Sequence, residues 1–275
     1  MKRTAFILSV ILVFGLTTTA LGGSIFLTGH DPDFHALVGG NSSGAQHINQ
    51  AAISFIMDPA FNPYVAGGAN KFLFVESSIV PPGGHVDGEA GIIASGYVVG
   101  TNFDKADAST LNAALNNLGT DYGAIVVASD FGGILTQAEL DILNARASDI
   151  IAFLNNGGGL YAMAESDSGA HLTPNDSFYG FLPFVVTSTQ FNQSEAGNTV
   201  TPFGLSLGLT AADVNGNFSH NIFLGTSGLN VVDLNAQGQF LSLAGRIQIT
   251  PVPEPGTLLL VAIGLSGIGL LRRRF

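Results

Sequence analysis

The chain has 275 residues, a net charge of −11 at pH 7 and no cysteine. The absence of cysteine excludes disulfides, thiolate metal sites and a cysteine nucleophile. Residues 24–250 hold 4 basic and 19 acidic side chains, a net charge of −15, which disfavours nucleic acid as a partner because few cations are present to neutralise phosphates.

The N-terminal residues predict export. Lys2 and Arg3 precede an apolar stretch over 5–16, and small residues follow up to Gly23. This order of charged, apolar and small residues is typical of a secretory signal peptide. We therefore expect residues 1–23 to direct the chain to the Sec translocon and then to be removed.

Buried strands and amphipathic helices alternate in the first half of the remaining chain. Short apolar runs predict four strands, at 24–28, 71–75, 124–128 and 160–164. Helical spacing of apolar residues predicts three helices, over 44–57, over 104–118 and from Thr136 to the glycines at 157–159. Thr136 and Glu139 have the spacing of a capping box at the start of the third helix.

This alternation favours a three-layer α/β sandwich, in which a mostly parallel sheet is covered by helices on both faces. After Ser166 the chain is richer in Gly, Asn, Ser and Thr, and strand candidates lie at 231–234 and 240–243. Gly238 between them indicates a hairpin. We predict one α/β domain over 24–250 with a β-rich C-terminal part.

The C-terminal residues form a distinct segment. An apolar run from Thr257 to Leu271 would span about 22 Å as a helix, which is short for a bilayer core of roughly 30 Å. It is preceded by Pro253, Glu254 and Pro255 and followed by Arg272, Arg273 and Arg274. A membrane anchor and a core helix are two interpretations of this run.

The order of Pro-Glu-Pro motif, short apolar helix and basic cluster resembles the PEP-CTERM sorting signal, here over 251–275. The resemblance implies that the helix enters the inner membrane transiently and that an exosortase cleaves the signal. The protein would then reach the outer surface or the extracellular matrix.

Polar side chains follow the predicted strands at the points where the strands end. Because ligands bind at the carboxyl ends of parallel strands, we expect these side chains to share one edge of the molecule. Their imidazoles and carboxylates suit a divalent metal such as Zn²⁺, Mn²⁺ or Fe²⁺. The candidate ligands are His30, Asp31, Asp33, His35, His85 and Asp87. The alternative is turn chemistry and solvated loops, since Asp-Pro-Asp also closes turns.

The region of the third and fourth predicted strands contains three characteristic segments. Their sequences are DYGAIVV (121–127), GG (132–133) and NGGGLYAMAE (156–165). This region resembles class I glutamine amidotransferase-like domains, which have a flavodoxin-like fold. The catalytic cysteine of that family sits on a strained turn, and the matching place here is Ala164 or Glu165. The resemblance therefore implies a degenerate domain without glutaminase activity. His220 matches a late histidine of some relatives.

Two functional hypotheses follow. The first is an exported surface or matrix protein whose degenerate domain has a binding or structural role without catalysis. The alternative is a metal-dependent extracellular hydrolase using the His/Asp cluster, in which the metal lowers the pKa of a bound water. Asp130 or Glu165 would take the proton, and His220 is a further catalytic candidate. Recognition of extracellular polysaccharide by the same acidic edge is a third alternative.

Overall fold

The computed structural model describes residues 22–164, 172, 179–194 and 196–247. The strands in this part of the chain are β1 Ser24–Thr28, β2 Lys71–Val75, β3 Phe103–Ala106, β4 Tyr122–Val127, β5 Gly159–Met163, β6 Ser188–Ser194, β7 Thr199–Val200, β8 Phe218–Phe223, β9 Asn230–Leu234 and β10 Phe240–Arg246. The helices are α1 Pro32–His35, α2 Ser42–Ile56, α3 Pro63–Ala66, α4 Gly88–Ala94, α5 Leu111–Ala114, α6 Gln137–Ala145, α7 Ala147–Asn155 and α8 Pro202–Ser206, with a 3₁₀ turn at Leu115–Asn117.

All of these strands belong to one sheet, in the order β3-β2-β4-β5-β1-β10-β8-β6, with β9 paired to β10 and to β7. The pairs among β3, β2, β4, β5 and β1 are parallel. The pairs that involve β6 to β10 are antiparallel. The predicted α/β class, with a parallel sheet in the first half and a β-rich second half, is confirmed.

Helices cover both faces of the parallel half. The connections from β1 to β2 and from β2 to β3 run toward one side of the sheet, and those from β3 to β4 and from β4 to β5 run toward the other. Because parallel crossovers are right-handed, opposite directions place helices on opposite faces. Accordingly, α1, α2 and α4 contact one another, and α5, α6 and α7 form a second contacting group.

Strands β1, β4 and β5 are buried along their whole length. Strands covered on both faces read as continuous apolar runs, which explains why the sequence predicts them well. Tyr161 of β5 packs edge-on against Phe26 of β1, with ring centroids 5.5 Å apart. Its hydroxyl donates to Asn49 Oδ1 of α2 at 3.0 Å, so the largest buried ring has no unpaired polar atom.

Two helix predictions need correction. The helix predicted over 104–118 is wrong in its first part, where Phe103–Ala106 forms strand β3 beside β2. Asp107 then turns the chain, since its Oδ1 accepts hydrogen bonds from the Ser109 and Thr110 amides at 3.0 and 3.2 Å. The helix predicted from Thr136 does begin with a capping box, but it breaks at Arg146 into α6 and α7.

The predicted C-terminal strands are confirmed as β9 and β10, and the turn between them contains Gly238 at φ +77°. β10 pairs with β1 so that Ser24 faces Arg246, and the Ile247 amide donates to the Gly23 carbonyl at 3.0 Å. Both ends of the described domain therefore leave the sheet at the amino edge, which is the edge where the parallel strands begin.

Within the described residues, no helix is long and apolar enough to cross a membrane. The predicted signal peptide up to residue 21 and the C-terminal apolar segment lie outside those residues.

Candidate functional site

The polar residues after β1 meet β8 at the carboxyl edge of the sheet. The Gly29 carbonyl accepts a hydrogen bond from the His220 amide at 2.7 Å, which brings β8 to the end of β1. A side chain at residue 29 would overlap the carbonyl of Asn221. Only glycine at position 29 therefore lets β8 come this close to the end of β1. This close approach places His220 beside the residues that follow β1.

Asp31, His35 and His220 bring three potential metal-ligand atoms together, all within 4.8 Å of one another. His35 Nε2 lies 3.3 Å from Asp31 Oδ1, and His220 Nε2 lies 3.3 Å from Asp31 Oδ2. Asp31 is 1 % exposed, His35 6 % and the His220 side chain 16 %. Asp31 Oδ1 is buried and has no hydrogen-bond partner among the described residues.

The His35 ring is oriented by the backbone. Its Nδ1 lies 3.0 Å from the Val38 carbonyl oxygen, and because a carbonyl only accepts, Nδ1 carries the hydrogen. In the neutral ring Nε2 then presents a lone pair toward the Asp31 carboxylate, which also presents lone pairs. Two facing lone pairs require a cation between them, either a proton or a metal ion.

Local sequence explains how Asp31 and His35 are placed, and contacts between distant segments place His220. Pro32 starts the one-turn helix α1, where Pro is favoured because that position needs no amide donor. His35 follows Asp31 by four positions (i, i+4), and the two side chains therefore lie on the same side of this turn. The His220 ring stacks on Phe131, with centroids 4.4 Å apart and an interplanar angle of 14°. A side chain at Gly132 would overlap Asp31 Oδ2 and Phe34 Cβ.

Two of the predicted ligands turn to other partners. His30 Nε2 donates to Asp233 Oδ2 at 2.8 Å, and both residues are buried. Asp33 accepts from the amide and hydroxyl of Ser129 at 2.8 and 2.7 Å. The pKa of Asp33 is raised to about 6, chiefly by burial and also by the negative charge of Asp31, while the Ser129 bonds oppose the rise. The structure therefore separates His30 and Asp33 from the Asp31–His35–His220 cluster.

His85 and Asp87 also lie outside this cluster. His85 Nδ1 donates to the Gly133 carbonyl at 2.9 Å, and Asp87 Oδ1 accepts from Lys105 Nζ at 2.9 Å. The same ammonium lies 3.0 Å from Glu76 and 3.5 Å from Glu89. Lys105 thus supplies the positive charge for three carboxylates that the sequence leaves without an obvious partner.

Glu76 is the buried member of this group. Its carboxylate accepts from the Gly88 and Glu89 amides at 2.6 and 3.0 Å, at the start of α4. Burial raises the pKa of Glu76 to about 8, the contact with Asp87 adds to the rise, and Lys105 opposes it. The pKa of Asp87 is lowered instead, so Glu76 holds a proton more readily than Asp87.

The turn after β5 has an unusual backbone. Ala164 has φ +41°, a left-handed conformation that non-glycine residues rarely adopt. It follows directly on Met163 and is one of the two positions at which the sequence resemblance would place the amidotransferase nucleophile. Glu165, the other position and a candidate base, lies outside the described residues. Asp130, the other candidate base, is 1 % exposed after β4.

The sequence identifies all three members of the cluster as candidates, but it does not show that they lie together. Asp31 and His35 belong to the predicted group of ligands in residues 30–35, whereas His220 lies 185 residues beyond His35 and is placed by strand pairing. The partner of His30, Asp233, was missed because it lies within an ordinary strand, β9. No local signal in the sequence identifies Phe131 or Gly132 as neighbours of Asp31 and His220.

Comparison with known proteins identifies one segment. The family model of the PEP-CTERM protein-sorting motif matches residues 251–274, a range that contains Pro253, Glu254, Pro255, Arg272, Arg273 and Arg274. No curated protein matches the chain, and no solved structure matches it. The sorting motif marks an exosortase-processed, exported protein that reaches the cell surface.

Proposed function

We propose that the domain between the two terminal signals is a binding module that holds a divalent transition metal ion through Asp31, His35 and His220. The protein would carry this site to the cell surface or the extracellular matrix. Two imidazole nitrogens and one carboxylate oxygen form a ligand set that suits Zn²⁺, Fe²⁺ or Mn²⁺. From the sequence we expect a binding or structural role without a specified ligand. The proposal specifies that role as the binding of a metal ion.

The observation that carries the proposal is the unsatisfied Asp31 carboxylate. Asp31 Oδ1 is buried without a hydrogen bond to any described residue, although His35 Nε2 is only 3.3 Å away. Leaving a buried charged oxygen unsatisfied costs free energy of about 1–3 kcal/mol or more. A metal ion between the three ligand atoms removes this cost and also matches the orientation of the His35 ring.

Metal analysis of the purified secreted protein tests the proposal. We expect one Zn²⁺, Fe²⁺ or Mn²⁺ per chain by elemental analysis, and loss of that metal in His35→Gln and in His220→Gln. His47→Gln is the matched control, because His47 pairs with Asp213 at 3.0 Å outside the cluster and its loss should leave the metal content unchanged. Absence of metal from the wild-type protein after incubation with each ion would show that a proton occupies the position.

We also propose that the fold is a non-catalytic amidotransferase-like domain. Across the sheet the parallel strands run 3-2-4-5-1 in chain order, which corresponds to the 2-1-3-4-5 order of flavodoxin-like sheets once β1, the first strand of the chain, is counted after β5. The left-handed backbone at Ala164 supports a nucleophile turn that has lost its nucleophile. Because Ala164 is 0 % exposed, a cysteine on an ordinary buried turn would react with iodoacetamide more slowly than a cysteine introduced at the exposed Ser109. A faster reaction of Ala164→Cys would therefore support the nucleophile turn, and a slower one would count against it.

A metal-dependent hydrolase is the second candidate function. Three protein ligands leave further coordination positions open, which is typical of catalytic metal sites, and His220 gives the cluster a partly exposed side. Hydrolysis of model esters, peptides and polysaccharides that depends on added metal and is lost in His220→Gln would support it. A metal-loaded protein without any such activity would leave binding as the function.

A further inference from the structure

An aromatic groove lies at the amino edge of the sheet, beside the residue where the described chain ends. Its volume is about 380 Å³, and it is lined by Phe55, Phe61, Phe203, Leu207 and Arg246 among others. Phe55 and Phe203 meet edge-to-face with centroids 6.4 Å apart. Phe61 is 36 % exposed, so part of its ring faces the open groove.

Arg246 connects this groove to the C-terminal segment. Its guanidinium carbon lies 3.3 Å from the ring centroid of Phe61 and 4.8 Å from that of Phe55. The same guanidinium donates a hydrogen bond from Nη2 to Asp58 Oδ2 at 3.0 Å. Arg246 is the last residue of β10. The chain that follows Ile247 therefore starts next to the groove, on the side of the molecule opposite to Asp31, His35 and His220.

The segment that follows has the composition that aromatic grooves bind. Residues 248–253 read Gln-Ile-Thr-Pro-Val-Pro. Thr250 and Val252 each precede a proline, which favours an extended conformation at both. Proline-rich extended segments dock in aromatic-lined grooves because little conformational entropy is lost. At about 3.1 Å per residue, this segment reaches roughly 20 Å beyond Arg246, which exceeds the size of the groove.

We propose that the groove binds residues 248–253 of the same chain, the stem that joins the domain to the sorting signal. Ile249, Pro251 and Val252 supply the apolar contacts. The stem would hold Pro253-Glu254-Pro255 close to the amino edge, so that the exosortase meets its motif at a defined place on the domain. The metal-binding edge would face away from that place. This inference does not depend on the metal site.

Disulfide trapping in the full chain tests the proposal. The chain has no native cysteine, so only the two introduced cysteines can form an intramolecular disulfide. The test pair is Ser206→Cys with Thr250→Cys, in protein purified from cells that lack the exosortase, so that the signal stays attached. Ser206 is exposed and lines the groove. The matched control pair is Asn156→Cys with Thr250→Cys. Asn156 is exposed at the same edge, next to the Leu154 and Gly158 carbonyls that flank Gly23.

We expect the intramolecular disulfide of the test pair to form at least about tenfold faster than that of the control pair, because docking raises the effective concentration. Phe61→Ala should bring the test pair down to the control rate, and circular dichroism should show that this variant is folded. Equal rates for the two pairs would overturn the proposal. Disulfide-linked dimers instead of monomers would also overturn it, because they would show that a second copy occupies the groove.

Discussion

Replacing Gly132 by alanine should damage the candidate metal site without touching a ligand. The added methyl group would overlap Asp31 Oδ2 and Phe34 Cβ, and Asp31 is 1 % exposed and has little room to move. The backbone at Gly132 is not left-handed, so the effect is steric. Overpacking of this kind costs about 1–3 kcal/mol.

For a domain of this size, that loss corresponds to a decrease in Tm of roughly 2–12 °C. Displacement of the Asp31 carboxylate should also weaken metal binding by about 10–100-fold. Thermal unfolding without metal measures the first effect, and isothermal titration calorimetry with Zn²⁺ measures the second. Gly83→Ala is the matched control, because no atom lies within 4 Å of a side chain at that position and its backbone is not left-handed.

Either of two results would refute this reasoning. If Gly132→Ala and Gly83→Ala melt at the same temperature, then the described packing around Gly132 is wrong. If Gly132→Ala is destabilised but binds Zn²⁺ as tightly as the wild-type protein, then Asp31 is not a ligand and the proposed site fails.

Three further predictions concern stability. Because burial raises the pKa of Glu76 from 4.5 to about 8, the folded state holds a proton that the unfolded chain has released, so stability should fall as pH rises through this window. Urea unfolding at pH 5 and pH 8 should show a smaller decrease for Glu76→Gln than for the wild-type protein. Ala164→Gly should stabilise the protein by up to about 1 kcal/mol, because glycine tolerates the left-handed backbone; a lower urea midpoint would contradict the strain. Asp233→Ala should cost about 3 kcal/mol in urea unfolding, because it leaves His30 buried without its carboxylate, whereas an unchanged midpoint would show that the pair contributes nothing.

Most of the parallel half of the sheet could be predicted because its strands are buried on both faces. β1, β2, β4 and β5 are apolar runs bounded by turn residues, and such runs have few other interpretations. Most of β3 falls within 104–118, where the helical spacing of apolar residues predicts a helix. Its sequence, Phe-Asp-Lys-Ala, carries two charged residues, which an edge strand tolerates but which hide the strand pattern. The β6 strand, Ser-Thr-Gln-Phe-Asn-Gln-Ser, is polar for the same reason and gave no signal.

The candidate site was predictable as a list of residue types but not as a geometry. Residues 30–35 supply two imidazoles and two carboxylates, and nothing in the sequence singles out Asp31 and His35 among them. Neighbouring positions such as His30 and Asp33 looked equally suitable, and only the course of the chain after Gly29 directs them to Asp233 and Ser129. Local spacing does not determine side-chain direction in an irregular turn.

The destination of the protein was determined by the sequence alone, because translocation and sorting signals are recognised as linear segments and require no fold. The composition of the domain and the class of its first half also followed from local patterns. The meeting of Asp31 and His35 with His220 was decided only by the tertiary structure. It depends on β10 pairing with β1 and on β8 reaching the end of β1, and strand order is a property of the whole sheet that no local segment contains.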